Sequence, residues 1–218
     1  MLALINPIMA KEDAPTLESL YPMKDGYLWR YKRITSEGVK HYATNYLGRY
    51  KKEGDLYHLI GNPYGVSYYK LTPEELILSG IAPAEDLKKV NFYEGKGMVR
   101  LKKPLRKGNR WSGQTRLNKS EGEQVISTYY TTEIIGWSKV EVPAGTFDAI
   151  VTSTTQNTVF LHKESGFGKG VITGEKIWYT PEIGMVRRLI NLLYQDTGAV
   201  PLRDDKLEEF IKQKTKAK

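Results

Sequence analysis

From Tyr27 onward, apolar and polar positions alternate with a period of two. Tyr27, Trp29 and Tyr31 are interleaved with Leu28, Arg30 and Lys32, so a strand here carries three aromatic rings on one face and mainly basic groups on the other. Residues 41–47, 56–60 and 66–71 continue as strands, the last two separated by the turn cluster Gly61-Asn62-Pro63-Tyr64-Gly65. Thr72-Pro73-Glu74-Glu75 has the spacing of a helix-opening capping box, but Leu76 to Gly80 is too short for a stable amphipathic helix, which favours a turn into another strand. Residues 90–93 resume strand, and Gly95-Lys96-Gly97 reads as a hairpin turn into 98–101.

The second half holds the longest strand patterns, 124–142 and 146–161, joined by a turn at Val142-Pro143-Ala144-Gly145-Thr146. Ile134 and Val140 share one parity and Trp137 the other, so a bulge at Gly136 would be needed to return Trp137 to the apolar face. Gly166-Phe167-Gly168-Lys169-Gly170 leads into a strand over 171–180. Residues 185–194 are apolar on both faces, as expected of a strand in mid-sheet with something packed behind it. The tail supplies a candidate: Asp204 as cap of a short helix in which Leu207, Phe210 and Ile211 form one stripe, followed by a basic fringe. The expected organisation is a leader over 1–19, one curved antiparallel β domain over 20–200 and a short helix with a basic tail over 201–218. Within the leader, residues 12–19 read as linker or a single helical turn. Its first ten residues are open to two readings, a clipped export signal or an unstructured extension.

Composition sharpens this picture. Fifteen Tyr among 218 residues, with four Trp and five Phe, suit a half-buried pleated surface. No apolar run approaches the roughly 18 residues that a membrane-spanning helix needs. Cysteine is absent, which removes disulfides, thiolate catalysis and Cys-ligated metals. The net charge of +8 favours anionic partners without specifying one.

Two segments echo each other. Pro22-Met23-Lys24-Asp25-Gly26-Tyr27-Leu28-Trp29 and Pro104-Leu105-Arg106-Lys107-Gly108-Asn109-Arg110-Trp111 share a proline, a glycine four positions on and a Trp three beyond that. The flanks do not repeat, so one turn-to-strand solution used twice explains the match better than duplication. The stretch from Tyr21 to Tyr31, with Val142-Pro143-Ala144-Gly145-Thr146-Phe147-Asp148-Ala149 and Trp178-Tyr179-Thr180-Pro181-Glu182-Ile183-Gly184-Met185-Val186, resembles signature segments of uncharacterised bacterial envelope proteins. Many of those are lipoproteins, similar in fold to the carriers and receptors that move lipoproteins to the outer membrane. The resemblance covers about Leu20 to Leu193. It implies a mainly β fold, a strongly curved antiparallel sheet forming an incomplete barrel with one or two short packing helices. It also implies no enzyme activity and, with the N-terminal export signal clipped, a periplasmic or cell-envelope location; no cofactor is expected. This chain departs from many members in lacking a lipid-accepting Cys.

Residue chemistry gives little support for catalysis. Gly166 to Gly170 lacks the Walker spacing and precedes a strand, so it reads as a hairpin. His41, His58 and His162 have no partner at ligand spacing, although His41 and His58 would meet if their strands were neighbours. Glu74-Glu75 and Asp204-Asp205 are adjacent pairs that diverge in either regular structure, and no G-x-S-x-G elbow occurs. The remaining signal is aromatic: Tyr27, Trp29, Tyr31, Trp111, Trp137, Trp178 and Tyr179 either line a cavity for an acyl chain or similar ligand, or fill the core. Partners on this reading are a lipid or acyl ligand, an envelope protein or an anionic surface. Nucleic acid is disfavoured, because alternation puts rings and basic groups on opposite faces.

Overall fold

The computed structural model describes residues 15–86, 89–118, 124–162, 168–194 and 198–212. The period-two pattern becomes thirteen strands: β1 (Tyr27–Thr35), β2 (Gly38–Lys52), β3 (Asp55–Asn62), β4 (Gly65–Leu71), β5 (Glu75–Ala82), β6 (Asn91–Phe92), β7 (Met98–Lys102), β8 (Arg110–Asn118), β9 (Gln124–Val142), β10 (Gly145–His162), β11 (Gly168–Thr180), β12 (Gly184–Tyr194) and β13 (Gly198–Lys212). They form one antiparallel sheet in the order β6-β5-β4-β3-β2-β1-β13-β12-β11-β10-β9-β8. Neighbours in space are neighbours in sequence, except where β5 pairs β7 and where β1 pairs β13 and so joins the two halves of the chain. The sheet curls into a barrel that is not laddered shut. β6 and β7 lie one after the other along the free edge of β5, and β8 pairs only β9.

Across that seam the described residues show one isolated backbone bridge, Glu94 to Arg116. Beside it Asn118 and Arg116 of β8 reach the Glu94 carboxylate, and further along two buried side chains hold β7. The Trp111 indole N–H donates to the Val99 carbonyl at 3.0 Å, and the Val99 N–H donates to the Tyr130 hydroxyl at 3.0 Å. Both backbone groups of one β7 residue are thus satisfied from the opposite lip, where an open edge would leave them unpaired in the core.

The turns β2–β3, β4–β5, β9–β10 and β11–β12 gather at one end, which is closed. The turns β1–β2 and β3–β4 and the β5–β6 connection lie at the other. The helix α1 (Leu17–Leu20) plugs the closed end. Thr16 caps it through Oγ1, Leu17 and Leu20 are buried, and Ser19 O accepts from Glu182 N at 2.7 Å in the β11–β12 turn. Two buried leucines of this kind contribute roughly 1.5–3 kcal/mol each.

The sequence echo has one physical cause. Gly26 and Gly108 sit at φ 80° and 82°, a conformation that a β-carbon disfavours. Each bends the chain into a strand whose Trp reaches another segment's carbonyl. Trp29 donates to Ile183 O at 2.6 Å, as Trp111 does to Val99.

Three expectations are corrected. The tail is not a helix: residues 198–212 are strand β13, which pairs β1 on one side and β12 on the other and crosses the expected boundary at 200. A bulge explains the misleading spacing. Arg30 faces Glu209 and Tyr31 faces Leu207, so Glu208 is extra and the inward row runs Asp205, Leu207, Phe210. Leu207 and Phe210 are three apart as on a helix, yet Phe210 stacks on Trp29 with ring centroids 5.7 Å apart. Secondly, Gly95-Lys96-Gly97 does not turn a hairpin, because the segments on either side of it, β6 and β7, both pair β5. Thirdly, the β9 bulge forms between Ile134 and Gly136 and brings Trp137 opposite the buried Ile150, yet Trp137 stays 49% exposed. Beyond the bulge the hairpin tip reaches past β11 and β12, where Ala144 N donates to Leu207 O at 3.0 Å. Its buried side is the other face, with Val140, Val142 and Phe147.

Other expectations hold. Thr72 Oγ1 accepts from Glu75 N at 2.9 Å and opens a strand rather than a helix. β12 does run through the middle of the sheet.

Candidate functional site

Of the seven aromatic candidates, Trp29, Tyr31, Trp111 and Tyr179 are buried in the main core, with Tyr27 packed at its edge between Trp29 and Phe210. They fill space rather than enclose it. The cavity between Trp29, Tyr31, Tyr21 and Ile60 measures about 40 Å³, room for about one water and not for an acyl chain. Trp178 points the opposite way from Tyr179. Its ring carries the Arg187 guanidinium at 5.1 Å, which is also held in a two-pronged contact to Asp204 at 2.9 and 2.8 Å. Trp137 belongs to neither group.

Above the apolar core the barrel wall turns polar. Arg33 on β1 faces Asp205 on β13, which faces Arg188 on β12, one cross-strand row on the inner face. Asp205 Oδ1 accepts from Arg33 Nε at 2.8 Å, and Oδ2 is held by Arg203 at 2.5 Å. Glu175 on β11 is gripped by Arg188 and by Arg100, the latter at 2.9 Å, with Gln156 Nε2 at 3.3 Å. Arg100 comes from β7, so it crosses the interior to reach β11. Burial alone would raise the Glu175 carboxyl, but Arg100 and Arg188 outweigh it and hold it at about 2. Burial pushes the neighbouring Tyr179 hydroxyl up.

The open end of the seam forms a cleft of about 500 Å³. Ile81, Ala82 and Pro83 make one lip, and Leu117 and Ile126 the other. Asn62, Tyr64, Ser67 and Asn91 contribute polar atoms around this apolar strip. Tyr64 connects the cleft to the polar layer, since the Arg33 guanidinium lies 4.4 Å from its ring centroid and 4.5 Å from that of Tyr42.

His41 and His58 do not converge. His41 Nδ1 lies 2.8 Å from Glu208, whereas His58 sits 3.1 Å from the Tyr46 hydroxyl, its pKa lowered by burial and then by Arg49. No group of three or more metal-ligating side chains occurs among the described residues. The tip of the β10–β11 hairpin, with Gly166 and Phe167, lies outside the described residues, as do residues 1–14 and the basic fringe after 212.

Sequence reasoning missed the buried charges, although parity carried a signal. Arg33 follows Tyr27, Trp29 and Tyr31 on odd positions, and Glu175 shares its parity with Ile177 and Tyr179. The cleft had no such signal, because its lips come from strands far apart in the chain.

Comparison with known proteins supports the architecture. A provisionally assigned lipoprotein of Parabacteroides distasonis matches with a TM-score of 0.53 at 16% identity, over 92% of this chain and all of that one. A provisionally assigned exported protein of Bacteroides fragilis, with a YmcC-like fold, gives a TM-score of 0.43 at 12% identity, over 91% of this chain and all of that one. No protein-family model matches the sequence, nor does any curated protein. The first likeness shows a shared fold.

Proposed function

We propose that this chain is a non-enzymatic protein of the bacterial cell envelope that holds an apolar group, of the kind an acyl chain provides, in the cleft at the open end of its seam. The carrying observation is that cleft: about 500 Å³ lined by Ile81, Leu117 and Ile126, where no ladder closes the sheet. Its volume falls in the roughly 300–1,000 Å³ range of ligand sites. Burying apolar surface there would contribute roughly 25 cal/mol per Å², before ordering costs. The fold shared with a provisionally assigned lipoprotein supports the envelope location. The fixed ionisation of Glu175 supports a binding role over an acid–base one, because a carboxyl held at about 2 between two guanidinium groups is a poor proton donor or acceptor near neutral pH.

The test is a titration with a fluorescent fatty acid, alongside native mass spectrometry of gently purified protein. Ile81→Asp and Ile126→Asp place a carboxylate on each lip, at one exposed and one partly buried position. Each is expected to weaken probe binding at least tenfold with an unchanged circular-dichroism spectrum. Wild-type protein that neither brightens the probe nor carries lipid would end the proposal.

A second reading is favoured by the free edge of β8, which pairs only β9 apart from the single bridge at Arg116. An extended partner segment adding to that edge would make the chain an interaction module. Binding that depends on the partner's backbone amides, and survives Ile126→Asp, distinguishes it from the acyl reading.

A further inference from the structure

The polar layer inside the barrel is not neutral. Four guanidinium groups, those of Arg33, Arg100, Arg188 and Arg203, surround two carboxylates, Asp205 and Glu175. Both oxygens of each acid already accept from an arginine, and among the described residues no other acid pairs with these four, which leaves a surplus of two positive charges. An excess of this size in a half-dry interior is unfavourable unless something compensates it.

The arrangement is also directional. The two acids are sealed in, with side chains 0% and 1% exposed, whereas Arg188 and Arg203 keep 28% and 26% of theirs open. Anything entering from the open end meets guanidinium groups first and the carboxylates behind them. Arg203 sits two residue pairs nearer that end than Arg188, opposite Ile190. Burial and then Arg188 lower the pKa of Arg203, as expected of a cation crowded by another.

We infer that Arg188 and Arg203, backed by Arg33, form an anion site in the upper barrel that takes a phosphoryl dianion. Two charges match the surplus, and the several N–H donors that each guanidinium still has free suit phosphate oxygens. The site stands whether or not the seam cleft is occupied. Tyr64 nevertheless links the two, so a phosphate carrying an acyl chain would place its head on the arginines and its tail in the cleft.

The experiment is isothermal titration of the full chain with inorganic phosphate at fixed ionic strength, using chloride as the control. Saturable binding is expected, weakened at least tenfold in Arg203→Gln and retained in Arg203→Lys. The Arg188 and Arg203 Nε–H resonances of the wild-type protein should also move on titration, while that of the outward Arg30 stays fixed, which keeps the test valid if Arg203→Gln does not fold. Repeating the titration with dihexanoyl phosphatidic acid separates the sources. Tighter binding that is lost in Ile126→Asp assigns the phosphoryl group to a lipid, and equal binding assigns it to a soluble phosphate ester. Absence of binding by both probes, or binding unaffected by Arg203→Gln with unmoved Nε–H resonances, would overturn the inference.

Discussion

Glu175 is the residue on which the polar interior turns. Its carboxyl is held at about 2 against an ordinary 4.5, so its contribution to stability is complete above pH 4.5 and is lost as pH falls towards 2. Acid unfolding is therefore expected to steepen in that window. Glu175→Gln should flatten the window while costing about 3–5 kcal/mol at neutral pH, because it strands two guanidinium groups. Urea denaturation across a pH series measures both effects. Val99 is the counterpart at the seam. Tyr130→Phe removes the acceptor of its N–H, so the Val99 amide should exchange with solvent faster. Trp111→Phe leaves that amide bonded and costs about 1–3 kcal/mol through the carbonyl instead. Hydrogen exchange resolved at Val99 separates the two variants.

At the scale of elements, strand positions followed from alternation wherever the pattern ran unbroken, as in β1, β4, β10 and β11. They failed where a bulge reset the phase. In β13 the extra Glu208 gave a strand the spacing of a helix; β9 kept its expected span, but beyond the bulge before Gly136 the hairpin buries Val140 and Val142 and leaves Trp137, opposite Ile150, on the exposed face. A bulge is stabilised by what lies across from it, and periodicity within one strand holds no record of its partner. The candidate site was legible to the same extent. The rings of β1 were visible as a face, but the pairing of Glu175 with Arg100, 75 positions earlier, depends on barrel closure. β13 offers a direct check. Leu207→Ala is expected to destabilise the fold by about 2–5 kcal/mol, measured by chemical denaturation, as befits a fully buried residue in a strand paired on both sides. A detachable terminal helix would lose far less.

For the whole molecule, closure depends on contacts distant in sequence. β1 and β13 come from opposite ends of the described chain, so closing this ladder carries a large loop-closure entropy and is expected late in folding. Leu207→Ala should accordingly accelerate unfolding more than it slows refolding, as stopped-flow kinetics would show. The register of that ladder has a practical side. Tyr27 lies opposite Lys212, and α1 packs on the β11–β12 turn, so the described chain enters and leaves the barrel at the same pole. The seam cleft and the arginine layer open towards the other pole. A barrel tethered at Leu17 or at Lys212 would hold its opening away from the support, leaving access to both sites unobstructed.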